Sequence, residues 1–160
     1  MPFNHIIDNV NQSITNIEYH NITNDTYPRY QITIKTKNNL SDARTKFEFC
    51  IDNMQNCSEH FGWYYALENP ENNMFGSVIP EEVLQFIGLN VVNIHIYEIK
   101  NTNEYDDVSG LMVMKINLED NKQFRFVMYN FHNGYYPHSV WLNVYENDDI
   151  QPMRVLDTCI

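Results

Sequence analysis

A chain of 160 residues that is 43% apolar and 14% aromatic fits one domain with one packed core. Its 21 acidic and 10 basic residues leave a formal net charge of −11. That charge repels phosphate backbones and anionic bilayers at long range, which argues against nucleic acid and membrane as partners. No apolar run is long enough for a membrane span, and Met1-Pro2-Phe3-Asn4-His5 lacks the basic start of a leader. Three cysteines, Cys50, Cys57 and Cys159, are an odd number without framework spacing. They suit a reducing compartment, so a cytoplasmic location is expected.

One unit is expected over residues 1–160, with residues 1–25 as a looser arm. Ile14, Ile17 and Tyr19 lack a clean period. Tyr30, Ile32 and Ile34 alternate with Gln31, Thr33 and Lys35, and after a turn near residues 37–41 Phe47, Phe49 and Ile51 alternate with Lys46, Glu48 and Cys50. These runs predict two half-buried strands that pair. His60 to Leu67 is a candidate third strand.

Pro80, Glu81 and Glu82, the apolar Val83, Leu84, Phe86 and Ile87, and then Gly88 carry the start and stop signals of a short helix near residues 80–88. Leu89 to Ile99 predicts a strand with Val92, Ile94, Ile96 and Glu98 on one face. Leu111 to Leu118 and Gln123 to Phe131, joined by Glu119-Asp120-Asn121-Lys122, predict a hairpin. Phe124, Phe126 and Met128 oppose Val127, Tyr129 and Phe131 across its second strand, which is expected to be central and covered on both faces. Val140, Leu142 and Val144 alternate with Trp141, Asn143 and Tyr145 as a further strand of the same meander, and Val155-Leu156 can add an edge. The fold class expected is α+β or nearly all-β: a mostly antiparallel sheet of about six to eight strands with one short helix on a face.

The candidate ligand-binding residues are Arg125, His132, Asn133, Tyr135, Tyr136 and His138. His132-Asn133-Gly134-Tyr135-Tyr136-Pro137-His138 offers stacking surfaces and donors, and Arg125 a cation, for a planar or anionic ligand. The alternative is a plain Asn-Gly turn whose tyrosines plug the end of a sheet. Arg125, amid apolar neighbours, needs a partner: Glu59, an acid of the 104–107 loop, a carboxylate on the helix, or an anionic ligand. Cys57-x-x-His60 with His132 and His138 has donors for zinc, but His-x₅-His is wider than the usual spacing, and no metal or other cofactor is expected. No nucleophile elbow, phosphate loop or metalloprotease motif occurs, so the chain reads as non-catalytic.

Asn56-Cys57-Ser58-Glu59, followed by a hairpin running into Asn133-Gly134-Tyr135-Tyr136-Pro137, resembles an uncharacterised β-rich family of phages and large DNA viruses. Its members carry a Cys-Cys-Glu and a Ser-Asn-Gly-Tyr-Tyr-Ser element. Here Asn56 stands for the first Cys, and His132 and Pro137 for the two serines. The resemblance implies that Cys57 and Glu59 lie near Asn133, Tyr135 and Tyr136. Asn at 23 of 160 positions fits an AT-rich, viral type of genome. The expected function is a non-catalytic binding protein with a protein partner; the alternative is capture of a nucleotide-like small molecule between the Tyr135/Tyr136 loop and Arg125. A capture site should be concave with Arg or Lys pointing in, and a protein binder should show an exposed aromatic patch.

Overall fold

A computed structural model describes residues 3–54, 60–67, 79–102, 108–132 and 137–160, with the backbone alone for 101, 102, 108, 109 and 132. The described residues form ten strands: β1 (Asn4–Ile7), β2 (Gln12–Ile22), β3 (Arg29–Lys37), β4 (Arg44–Asp52), β5 (His60–Ala66), β6 (Asn90–Thr102), β7 (Val108–Leu118), β8 (Gln123–His132), β9 (Ser139–Glu146) and β10 (Met153–Cys159). All pairings are antiparallel, in the order β10-β9-β4-β3-β2-β6-β7-β8-β5, with β1 also on β6. The joint between β2 and β6 is only two residue pairs long, Gln12 with Val91 and Ser13 with Asn90. It divides the sheet into two halves that enclose one core.

Period-two alternation fills that core. Ile32 and Ile34, Phe47 and Phe49, and Leu142 and Val144 enter from the first half; Ile94 and Ile96, Met112 and Met114, and Phe124 and Phe126 enter from the second. Aromatic contacts stitch the halves together: Tyr19 lies 4.8 Å from Trp63, and Tyr30 6.0 Å from Phe61, between ring centroids. A smaller apolar cluster of Tyr64, Leu111, Val113, Val127 and Tyr129 covers the outer face of the second half. Strand β8 is therefore central, between β7 and β5, and apolar on both faces, as its composition predicts.

The structure corrects several expectations. The fold is essentially all-β with ten strands, more than the six to eight expected, and its helix α1 (Glu81–Leu84) is a single turn. Pro80 caps that turn with extended backbone, and Gly88 at φ +96° ends the turns that follow. Val83 and Phe86 anchor the segment, Phe86 stacking on Phe124 at 4.8 Å, whereas Leu84 and Ile87 face solvent. Two anchors hold one turn only.

The two unforeseen strands lie in the supposed N-terminal arm. β2 hides its period behind a bulge between Ile14 and Asn16, yet Ile14 and Ile17 are core residues; β1 is short and mostly exposed. A second bulge, between Val91 and Asn93, puts Val91 on the core face with Ile94 and Ile96 and leaves Val92 exposed. Nor does β9 continue the β7–β8 meander: it lies between β4 and β10 in the first half, and β5 takes the place beside β8. Among the described residues no helix is long and apolar enough to cross a membrane.

Candidate functional site

The outer face of the first half-sheet is built from the alternate residues of β3, β4, β9 and β10. Register places them in rows: Gln31, Cys50, Trp141 and Asp157; then Thr33, Glu48, Asn143 and Arg154; then Lys35, Lys46 and Tyr145. The core claims the other residue of each pair, so these side chains share one surface. Over it lies a depression of about 490 Å³ lined by Tyr27, Arg29, Trp141, Asn143, Tyr145 and Arg154 and by three carboxylates, Asp25, Glu48 and Asp157, the last 3.5 Å from Arg154 Nη1.

Polar contacts preset the two guanidiniums. Arg154 Nε donates to Asn143 Oδ1 at 3.0 Å, and its guanidinium carbon sits 5.8 Å from the Trp141 ring centre. Arg29 donates from Nε to Gln31 Oε1 at 2.9 Å and from Nη1 to Asp25 Oδ2 and the Tyr27 carbonyl, each at 3.0 Å. The Arg29 hydrogen bond holds the Asp25 carboxyl below its ordinary range. Burial, reinforced by Glu48, raises the Tyr145 hydroxyl, which keeps it protonated and able to donate. Burial also pushes the Cys50 thiol up to about 12, so beneath this floor it is a thiol and not a nucleophile. Lys46 Nζ stands 4.3 Å from the centre of the Tyr145 ring, beyond which a second depression of about 620 Å³ opens.

Of the residues singled out from sequence, Arg125 and His138 lie outside this depression. Arg125 is on β8, in the other half-sheet, 3% exposed; its Nη1 donates to the Leu67 carbonyl at 2.8 Å, and its Nε has no hydrogen-bond partner among the described residues. Among the described residues no carboxylate pairs with it. His132 ends β8 seven residues further on, about 23 Å along an extended strand. His138 is 1% exposed: its Nδ1 lies 2.7 Å from Asp52 Oδ1, its ring stacks on Phe61 at 3.8 Å, and the Ser139 amide donates to Asp52 Oδ2 at 2.6 Å.

Asn133, Tyr135 and Tyr136, like Cys57 and Glu59, lie outside the described residues. The described residues bordering these two elements do meet, His60 pairing with Phe131 and Asp52 with His138. Among the described residues no three of His, Cys, Asp and Glu gather as metal ligands. The outer-face site went unnoticed in the sequence, although it left a signal there: Trp141 and Tyr145 hold positions that alternate with the core residues of β9. No protein-family model, curated protein or solved structure matches this chain at a significant level.

Proposed function

We propose that the chain is a non-catalytic binding protein that captures a planar, anionic small molecule of nucleotide type in the depression over β3, β4, β9 and β10. One observation carries this reading: Trp141, Tyr145, Arg29 and Arg154 converge on a single concavity. Its volume falls within the roughly 300–1,000 Å³ usual for small-molecule sites. Aromatic faces accept a planar ring, and guanidiniums already oriented by Asn143 and Gln31 lose little further freedom when they meet an anion. The Asn-rich composition and the two short elements at Cys57 and Asn133 support a viral setting.

A protein partner is the second reading. Tyr27, 69% exposed at the rim, favours it, since tyrosine is enriched in interfaces. A thermal-shift screen of nucleotides against wild type, Arg154→Ala and Arg125→Ala separates these possibilities. A true ligand at a hundredfold excess over its Kd adds about 2.7 kcal/mol of stability. That gain should vanish in Arg154→Ala and survive in Arg125→Ala. If no nucleotide stabilises wild type, the small-molecule reading falls and the protein partner stands in its place.

A further inference from the structure

Across β3 and β4, Lys35 faces Lys46 and Lys37 faces Arg44. Strand geometry roots these four cations at the corners of a rectangle about 5 Å by 7 Å. Like charges directly opposite one another weaken a strand pair, and here two such pairs, separated by Thr36 and Thr45, share one face in a molecule whose net charge is −11. With Arg29 and Arg154, they place six of the chain's ten Lys and Arg on this one half-sheet.

Acids reach three of the four cations: the half-buried Glu18 lies 3.5 Å from Lys35, the largely buried Glu48 3.5 Å from Lys46, and the exposed Asp148 contacts Arg44. Lys37 has no ion-pair partner among the described residues. A surface pair such as Arg44–Asp148 adds little stability and opens readily. The rectangle lines the second depression with Tyr145, Asn147, Asp148 and Asp149, so four cations face two carboxylates there, and this depression adjoins the ring site through Tyr145.

We propose that Lys35, Lys37, Arg44 and Lys46 form a subsite for a multiply charged phosphate group, of the size of two or three linked phosphates. Four cations rooted this close together suit a group that carries several negative charges better than a single carboxylate. This deepens the capture reading and rests on it only for the ring-bearing part of the ligand. The same chemistry is offered by a soluble polyphosphate and by a bisphosphorylated lipid headgroup.

Calorimetric titration with inorganic tripolyphosphate is the test. Wild type should bind it, Lys37→Gln/Lys46→Gln should bind at least about tenfold more weakly, and Lys37→Arg/Lys46→Arg should restore binding. The Gln variant should melt no lower than wild type, because it removes one member of each like-charged pair. Co-sedimentation with phosphatidylcholine vesicles, with and without a bisphosphorylated inositol lipid, identifies the source: binding only to the phosphorylated vesicles assigns the subsite to a headgroup. Failure of wild type to bind either probe, or equal binding by the Gln variant, overturns the proposal. If wild type binds tripolyphosphate while no nucleotide stabilises it, the ring site falls and the phosphate subsite stands.

Discussion

Arg125 and Phe126 are consecutive on β8 and meet opposite environments. Phe126 is fully buried among Trp63, Phe124 and the rest of the main core. Arg125 is nearly as buried on the other face, where the register sets Lys115 directly across from it and the Leu67 carbonyl is its one hydrogen-bond acceptor among the described residues. A buried cation without a carboxylate adds little stability, and an apolar side chain of similar length replaces it at small cost. Arg125→Met should therefore stay within about 1 kcal/mol of wild type in urea unfolding, set against a loss of about 3–5 kcal/mol for Phe126→Ala. A loss above about 3 kcal/mol for Arg125→Met would show that the guanidinium holds more than a single carbonyl. An uncharged stretch with one Arg in it announces a need for a partner, but cannot say that a loop carbonyl meets it.

At the scale of elements, alternation exposed nearly every long strand and missed the bulges. A single extra residue at Ile14/Asn16 or Val91/Asn93 exchanges the two faces, which a strict period of two cannot register. Partner choice is also invisible locally: β9 follows β8 in the chain but pairs with β4, while β5 arrives from far upstream. The β5–β8 seam depends on Gly62, which sits opposite Tyr129 at φ +156°; a Cβ there would lie 3.0 Å from the Tyr129 hydroxyl and 3.3 Å from its ring carbon Cζ. Gly62→Ala should cost roughly 1–3 kcal/mol. In a Tyr129→Phe background the cost should shrink, because the nearest atom is gone; an unchanged cost in the double-mutant cycle would locate the strain in the backbone instead.

For the whole molecule, charge is the dominant global property. An excess of 11 negative charges strains the compact state by self-repulsion, while surface ion pairs such as Lys35–Glu18 return little. Salt shortens the screening length from about 10 Å at 0.1 M to about 3 Å at 1 M. The melting temperature should therefore rise when sodium chloride is added to a low-salt buffer. A fall would mean that local pairing outweighs the net repulsion. The same salt should weaken tripolyphosphate binding, so stability and binding should move in opposite directions.

The order of residues by itself determined the β-rich class, most strand positions, the helical signal at Pro80 and the two-faced cover of β8, because each is written in spacing along a few neighbouring residues. Only the tertiary structure decided which strands pair, where the N-terminal strands lie, and that Trp141, Tyr145, Arg29 and Arg154 share one surface. That surface joins residues 29 to 154 of the chain, and the sheet order that brings them together is set by the closing of one common core, whose apolar residues favour burial without specifying partners.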